Sequence, residues 1–337
     1  MKKIALLGSG FIASVHMEAW KSIEGAEVVA FFEVNPAKAS EFQKKYSLPH
    51  YGSLRELFDN QEVDAVDICL PTFLHREYTE MAALEKKHVF CEKPIALNLE
   101  DAQAMQKVCK DQGVFLMVGH VLRFWGEYVE AKKLISQGAV GKPLLINAFR
   151  LSVTPAWSVN SWILRPQLSG GASLDLHIHD LDFVNWLAGN PREVFARGIF
   201  REDSLDHVIT TVKYENEIVA SVEGGWMMQG DFPFTCGFRV LGSEGVLEWV
   251  FRAGVNIEER AQSSPLFLYR RGKQREFIEV AAEDPYRKEL AYFLECVEKG
   301  TPPELGTPEQ AIEALRLALA SKTSVAKGEQ VLLEGSC

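Results

Sequence analysis

A lysine in the first third of the chain has a side chain that could stabilise charge on a reacting oxygen. Lys93 lies within Glu92-Lys93-Pro94, directly after a short apolar run at 88–91. An ammonium group at a strand end can donate a hydrogen bond to a substrate hydroxyl and stabilise the alkoxide that forms. Pro94 restricts the turn and can follow a cis peptide bond. The alternative is a surface lysine whose ion partner is Glu92.

A second set of chemically useful residues follows the double glycine at 170–171. As a strand, this stretch would place His177 and His179 on one face, where they could bind a metal. As a helix, it places Asp175 and His179 on one face, where the carboxylate can orient the imidazole. A glycine–asparagine–proline stop signal favours a helix over 173–188 and therefore no metal site, with His177 packing or capping. A plain surface pair of Asp175 and His179 is the alternative.

The opening of the chain predicts a nucleotide-binding turn. A short apolar run ends at Gly8, which permits a tight turn, and Gly10 lets the backbone approach a pyrophosphate. The N-terminal N–H groups of the next helix can bind phosphate, and its first residues are Phe11, Ile12 and Ala13. Glu33 ends a second apolar run, where a carboxylate can accept hydrogen bonds from ribose hydroxyls. This order is typical of dinucleotide binding; a purely structural turn is the alternative.

Short apolar runs alternate with helical stretches up to about residue 120, which predicts a parallel sheet wound on both faces. The predicted strands are 3–7, 28–32, 64–70, 88–91 and 114–118. Ligands of such sheets bind beyond the carboxyl ends of the strands. The residues expected to line that crevice are Gly8, Glu33, Pro71, Thr72, His75, Glu92, Lys93, Gly119 and His120.

The second half of the chain predicts a different sheet. Residues typical of strands alternate with polar ones in 193–201, 206–214, 217–227, 235–241 and 245–251, which indicates a largely antiparallel sheet. The predicted class is α/β, with a doubly wound Rossmann domain at 1–122 and a C-terminal α/β domain with a large open sheet at 123–337. An open apolar sheet face needs covering, so we expect a homodimer or homotetramer.

Helix and turn signals set the expected ends of several elements. Helices are predicted at 285–299 and 308–326, and Glu215-Asn216 is expected to form a hairpin turn. The expected helix starts are a capping box at Ser53, a cap at Asn98 and a second capping box at Thr307.

Bulk composition excludes several classes of protein. The chain has 337 residues and a net charge of −10, which argues against a nucleic acid or an anionic membrane as partner. No apolar run approaches the roughly 20 residues of a membrane span. The six cysteines are scattered without a closely spaced pair, which indicates a cytoplasmic protein.

Taken in order, these motifs resemble the glucose–fructose oxidoreductase and inositol dehydrogenase family (Gfo/Idh/MocA). The similarity covers nearly the whole chain. Its motifs are the glycine turn, Glu92-Lys93-Pro94, Gly119 with Arg123-Phe124, the double glycine with Asp175 and His179-Asp180, Trp186-Leu187-Ala188-Gly189 and the two late helices. The lysine and Asp–His motifs are far more specific than the glycine turn.

The resemblance implies hydride transfer between a nicotinamide cofactor and a hydroxyl-bearing carbon of a sugar, inositol or related polyol. His179 would take the hydroxyl proton, Lys93 would polarise the same oxygen, and Asp175 would orient the pair. Residues implied to border the substrate pocket are Arg123, Trp157, Trp162 and Arg165. It also implies an oligomer formed through the C-terminal sheet.

The residues after the second strand favour NAD over NADP. Glu33 would repel a 2′-phosphate, and Val34-Asn35 offer no guanidinium to bind one, although Lys38 lies one turn onward. Two other functions stay open. One is NAD-dependent glycoside cleavage by transient oxidation and elimination, and the other is a non-catalytic nucleotide sensor.

Overall fold

The computed structural model describes residues 1–155, 159–253 and 265–333. The strands are β1 (Lys2–Leu7), β2 (Ala26–Phe32), β3 (His50–Tyr51), β4 (Ala65–Ile68), β5 (His88–Glu92), β6 (Leu116–Gly119), β7 (Pro143–Val153), β8 (Pro191–Arg201), β9 (Ser204–Tyr214), β10 (Val219–Met228), β11 (Thr235–Gly242), β12 (Gly245–Arg252), β13 (Leu266–Arg270), β14 (Glu276–Ile278) and β15 (Val331–Leu332). The α-helices are α1 (Phe11–Lys21), α2 (Pro36–Tyr46), α3 (Leu54–Asn60), α4 (His75–Leu84), α5 (Leu99–Gln112), α6 (Gly126–Ser136), α7 (Pro166–Ser169), α8 (Ala172–Asp175), α9 (Ile178–Ala188), α10 (Pro285–Lys299) and α11 (Pro308–Lys327).

The chain divides into two compact units, which we describe separately. The first contains 1–124 and 284–312, and the second contains 125–283 and 313–337. The predicted boundary at 122/123 lies two residues from the observed one. The prediction, however, divided the chain at a single point and so assigned 284–312 to the second domain. These residues belong to the first unit. Three residues of α10 explain this, because Leu290, Phe293 and Leu294 belong to the same buried core as the first strands.

The first unit contains a parallel six-stranded sheet in the order β3-β2-β1-β4-β5-β6. All five predicted strands are present, with ends shifted by at most a few residues. The four residues of β4 and the last four of β1 are buried, as expected for strands covered on both faces. The sequence did not predict β3, whose two residues are too few to show a pattern. The predicted Rossmann architecture is confirmed.

Helix caps in this unit follow local sequence in two of three predicted cases. Asn98 accepts a hydrogen bond from the Asp101 N–H at 2.8 Å. Thr307 and Gln310 bond reciprocally at 3.2 and 3.3 Å, which forms the predicted capping box. The prediction for Ser53 was wrong in part. Ser53 occupies the cap position of α3, but its side chain makes no capping hydrogen bond.

The second unit contains a nine-stranded sheet in the order β14-β13-β12-β11-β7-β10-β9-β8-β15. Only β7 and β10 pair in parallel among these neighbours, so the sheet is largely antiparallel, as predicted. The predicted hairpin turn at Glu215-Asn216 joins β9 to β10. The central strand β7 was missed because its buried face includes Arg150, a charge that breaks the expected apolar alternation. The other missed strands, β13, β14 and β15, are short and lie toward the two ends of the sheet.

The predicted helix over 173–188 is interrupted, which corrects the sequence interpretation. The chain forms α8 and α9, joined at Leu176-His177. The N–H of His177 donates to the carbonyl of Ala172 at 2.9 Å, five residues earlier, which is the spacing of a π-type turn. Asp175 therefore ends one helical segment, and His179 lies in the first turn of the next.

No helix in 1–155, 159–253 or 265–333 combines the length and apolar character needed to cross a bilayer. The cysteines of these ranges are buried and form no disulfide. Trp157 and Cys337 lie outside the described residues.

Candidate active site

The glycine turn after β1 has the backbone that a close nucleotide contact requires. Gly8 adopts a φ of +110°, and a Cβ there would lie 2.6 Å from the Cys69 carbonyl oxygen. A Cβ at Gly10 would meet nothing within 4 Å among the described residues, so a phosphate has room to approach. The Ser14 N–H donates to the Gly10 carbonyl at 3.1 Å. Gly10 is therefore the cap residue that precedes α1, whose N-terminal N–H groups can bind phosphate.

Glu33 is held beside this turn at the end of β2. Its Oε2 accepts a hydrogen bond from the Ser9 hydroxyl at 2.7 Å, and its Oε1 accepts one from the Asn35 N–H at 2.8 Å. The carboxylate therefore has a fixed position next to the glycine turn. The sequence analysis missed the role of Ser9, although its place between two turn glycines could have indicated it.

The turn after β4 is tied to the turn after β5. The ring of His75 is buried, with Nδ1 2.9 Å from the Pro94 carbonyl and Nε2 2.9 Å from the Leu70 carbonyl. Burial lowers the pKa of His75, so the neutral ring donates through one nitrogen at a time. His75 therefore acts as a cross-link between two strand ends, with Thr72 buried nearby in sequence and Pro71 half-buried.

The turn after β5 exposes one side chain from an otherwise buried segment. In the fully described stretch 89–96, Lys93 is the only residue that is not buried. The Lys93-Pro94 peptide bond is cis, as the sequence allowed. The Lys93 N–H donates to Glu92 Oε2 at 3.1 Å. Lys93 is thus half-buried at the carboxyl end of a strand, on a turn whose backbone is held by the preceding carboxylate.

A buried ionic group supports this turn and was not predicted. His16 of α1 is 0% exposed, with Nδ1 3.0 Å from Asp67 Oδ2 and Nε2 3.2 Å from Glu92 Oε1. The Trp20 indole N–H donates to Asp67 at 2.8 Å. Burial acts to lower the pKa of His16, but attraction to Asp67 overrides it and raises that pKa well above its ordinary value. His16 is therefore an imidazolium between two carboxylates.

In the second unit, the predicted Asp175 and His179 lie on a segment that is mostly closed to solvent. In the described stretch 169–184, the residues that are not buried are Asp175, Leu176 and His179. His177 is fully buried and its Nε2 is 3.0 Å from the Thr210 hydroxyl. Burial lowers the pKa of His177 to about 3, so this ring is neutral. As the sequence interpretation expected, the His177 ring packs in the interior.

An ion pair fixes α9 to the sheet beneath it. Arg150 of β7 donates to Asp180 at 2.7 and 3.2 Å, and to the Tyr128 hydroxyl at 3.2 Å. All three residues are buried. Burial disfavours the guanidinium charge, yet attraction to Asp180 raises the pKa of Arg150 above its ordinary value. His179 is therefore adjacent in sequence to a residue anchored by two charge-assisted hydrogen bonds.

The remaining predicted residues fall in different surroundings. Arg123 is buried in a short 3₁₀ turn after β6, in the first unit. Trp162 is half-buried and packs against a small core that includes Trp226, and Arg165 is exposed at the start of α7. Phe11 is 43% exposed at the start of α1, and Ile12 is half-buried beside it. Trp162 and Arg165 belong to the second unit, as do Asp175 and His179.

Comparison with known proteins identifies the family. Residues 2–120 match the family model described as an oxidoreductase family with an NAD-binding Rossmann fold, and residues 128–248 match the model of the GFO/IDH/MocA C-terminal domain. The chain is 29% identical to the myo-inositol 2-dehydrogenase of Thermotoga maritima over 98% of each protein. It is 28% identical to the 1,5-anhydro-D-fructose reductase of Ensifer adhaerens over 99% of each.

A solved structure supports the same assignment. The aldose–aldose oxidoreductase from Caulobacter crescentus, crystallised with glycerol, superposes with a TM-score of 0.85 at 25% identity, covering 98% of this chain and 99% of the other. The sequence resemblance is therefore confirmed across both units. The chain belongs to the Gfo/Idh/MocA family of NAD-binding oxidoreductases.

Proposed function

We propose that this enzyme transfers hydride between NAD and a hydroxyl-bearing carbon of a sugar, inositol or related polyol. The observation that carries the proposal is the exposure pattern of the two units. In each unit, a mostly buried segment leaves partly exposed some side chains that could take part in proton chemistry. These are Lys93 in the first unit and Asp175 and His179 in the second. The names of the two curated relatives, an inositol dehydrogenase and an anhydro-sugar reductase, support this substrate class.

The first unit fits the cofactor. Gly8 and Gly10, with the N-terminal N–H groups of Phe11 and Ile12, would hold the pyrophosphate. The Glu33 carboxylate, fixed by Ser9, would accept hydrogen bonds from the adenosine ribose. The segments that would border the rest of the cofactor contain Pro71, Thr72, His75, Glu92 and Lys93. His75 would contribute by holding the turn after β5, because both ring nitrogens face backbone carbonyls.

The proton chemistry is assigned to three side chains. NAD, when bound, supplies the acceptor for the hydride that leaves the substrate carbon. His179 would take the hydroxyl proton as general base, and Lys93 would donate a hydrogen bond to the same oxygen and stabilise the developing alkoxide. Asp175 would orient the imidazole or hold a neighbouring hydroxyl. Arg123, Trp162 and Arg165 are proposed to border the substrate.

Glu33 is proposed to give the preference for NAD over NADP. A 2′-phosphate would approach a carboxylate that two hydrogen bonds hold in place, and the residue after it, Val34, is 68% exposed and carries no charge. Replacing Glu33→Gln should therefore raise kcat/KM with NADP⁺ relative to NAD⁺, by about tenfold for one repulsive contact of about 1.4 kcal/mol. An unchanged ratio would remove Glu33 from the selectivity.

The outer face of the nine-stranded sheet is proposed to form a homodimer or homotetramer. Phe195, Ile199 and Ile209 are 39%, 53% and 48% exposed on neighbouring strands β8 and β9, and an apolar surface of this kind favours association. Light scattering after gel filtration should find an oligomer for the natural chain and a smaller species for Ile209→Asp. A monomeric natural chain would refute this part. We propose a cytoplasmic location for the assembled enzyme.

The test of the main proposal is a substrate panel. NADH formation would be followed with inositols, aldoses, uronates and N-acetyl sugars, with NADP⁺ in parallel. A rate with one class supports the proposal and names the substrate. Cleavage of a chromogenic glycoside without NADH accumulation would replace it with glycoside cleavage. Tight NAD binding with no turnover of either kind would favour a sensor.

A further inference from the structure

Glu289 of α10 adds a third carboxyl group to the buried charges behind the Lys93 turn. Polar side-chain atoms of His16, Glu92 and Glu289 lie within 4.8 Å of one another. Glu289 is 0% exposed, and neither of its oxygens has a hydrogen-bond partner among the residues that the structure describes. Burial, followed by repulsion from Glu92, raises the pKa of Glu289 well above its ordinary value. Glu289 therefore keeps its proton, and the negative charges facing His16 are those of Asp67 and Glu92.

Glu92 joins these buried groups to the backbone of the lysine turn. One carboxylate oxygen faces the His16 imidazolium at 3.2 Å, and the other accepts the Lys93 N–H at 3.1 Å. The neighbouring strand leaves room for this carboxylate, because a Cβ at Gly119 would lie 2.9 Å from Glu92 Oε1. The position of the carboxylate therefore depends on two contacts, one ionic and one with the turn itself.

We propose that His16 is a positioning residue for Lys93 and that it acts through the Glu92 carboxylate. The imidazolium attracts one oxygen of Glu92 through an ionic contact that lacks hydrogen-bond geometry, and the other oxygen accepts a hydrogen bond from the backbone from which the Lys93 side chain projects. His16 also lies on α1, the helix that follows Gly10, so one helix supports both the nucleotide turn and the lysine turn. The inference rests on the proposed role of Lys93 in hydride transfer.

The buried groups around the Glu92 carboxylate come from several elements of the first unit. Titratable groups that interact with this site include Asp67 of β4 with Cys69 just after it, His75 of α4 and Cys91 of β5. At the start of α10 they include Asp284, Tyr286 and Glu289.

The test compares His16→Gln with Trp20→Phe. The first variant removes the imidazolium, and the second removes a buried hydrogen bond to Asp67 but leaves the His16–Glu92 contact. For His16→Gln we expect kcat to fall about tenfold or more with little change in the KM for NAD⁺, because the loss is one of positioning. This split between kcat and KM is the readout, because a folded variant with a merely destabilised core would keep the natural kcat.

The control separates positioning from general loss of stability. Trp20→Phe should lower the melting temperature but leave kcat close to that of the natural chain. The proposal is overturned if His16→Gln lowers only stability, or if Trp20→Phe lowers kcat by the same factor.

Glu289→Gln tests the assigned proton. Glutamine is neutral, as the protonated carboxyl is, so kcat and its pH profile should stay close to those of the natural chain. In the natural chain, stability should fall as the pH rises above about 4.5, because the unfolded carboxyl ionises there and the folded one does not. The gain in stability from Glu289→Gln should therefore grow from pH 5 to pH 8. A kcat loss equal to that of His16→Gln would contradict the assignment.

Lys93→Met distinguishes failure of this inference from failure of the proposed function. Unchanged turnover in Lys93→Met would refute the role of Lys93 itself. An inactive Lys93→Met together with a fully active His16→Gln would refute only the positioning role.

Discussion

The two segments proposed to carry the chemistry are each supported by a fully buried histidine, and the two histidines differ in charge. Behind Lys93, His16 lies between the carboxylates of Asp67 and Glu92, and its pKa is raised. Beside His179, His177 contacts the Thr210 hydroxyl, and its pKa falls to about 3. Burial alone favours the neutral ring in both places, so the neighbours determine the charge.

This difference shows two ways of fixing a reactive side chain at the edge of a closed core. The lysine turn of the first unit is held by charges that include His16. In the second unit, the histidine next to His179 is neutral, and the charge is carried instead by the Arg150–Asp180 pair under α9. The first arrangement places a buried charged histidine behind the turn that carries the reacting group. The second keeps the buried charge on a pair that packs against the sheet.

The largest effect is expected from removing the reactive side chains themselves. Lys93→Met and His179→Asn should each lower kcat by about 10²–10⁴, the usual range for a lost proton-transfer or polarising group. NAD binding, followed by fluorescence titration, should survive in both variants. Lys107→Met, which changes an exposed lysine of α5, is the matched control and should leave kcat unchanged. If only one of the two variants loses activity, the proposed chemistry is not shared between the units.

The next effect concerns the buried pair of the second unit. Arg150→Met should lower the free energy of unfolding by about 3–5 kcal/mol, because it leaves the Asp180 carboxyl buried without its partner. Adding Asp180→Asn should recover part of that loss. The matched control is Lys133→Met, which breaks an exposed pair with Glu130 in the same unit and should cost less than about 1 kcal/mol. Urea unfolding measures all three; equal losses for Arg150→Met and Lys133→Met would contradict the anchoring role.

Features that depend on a few consecutive residues were predicted from the sequence. Features that depend on residues far apart in the chain were missed. The glycine turn, the strand ends and the caps at Asn98 and Thr307 each depend on a few consecutive residues, and the structure contains them. His16, Asp67, Glu92 and Glu289 are far apart in the sequence, and no short pattern indicates that the fold packs them together.

A similar limit explains the interrupted helix. The stop signal at 189–191 predicted a continuous helix through His177. That ring instead reaches Thr210 of β9 and lies against β10, where a Cβ at Gly224 would be 2.4 Å from its Nδ1. The position of a buried polar ring is set by the sheet it packs on. Local periodicity contains no information about that partner.

The smallest effect concerns the pH dependence of stability. The contributions of the two buried histidines, His16 and His177, should depend on pH in opposite directions. The pKa of His16 is raised above 6.5, so its contribution is complete below pH 6.5 and is lost as the pH rises through the folded value. The pKa of His177 falls from 6.5 to about 3, so its contribution is complete above pH 6.5 and is lost as the pH falls toward 3. For each histidine, the free energy of unfolding changes by at most about 1.4 kcal/mol per pH unit.

Matched glutamine variants isolate the two contributions. Relative to the natural chain, the stability deficit of His16→Gln should shrink as the pH rises from 6 to 8, because the natural chain loses the imidazolium contribution in that direction. The deficit of His177→Gln should shrink as the pH falls from 7 to 5, because the natural chain then keeps an unprotonated ring at increasing cost. Urea titrations at each pH measure both deficits. Slopes of the same sign would mean that the two buried rings carry the same charge, and the contrast between the two units would then have to be sought elsewhere than in their histidines.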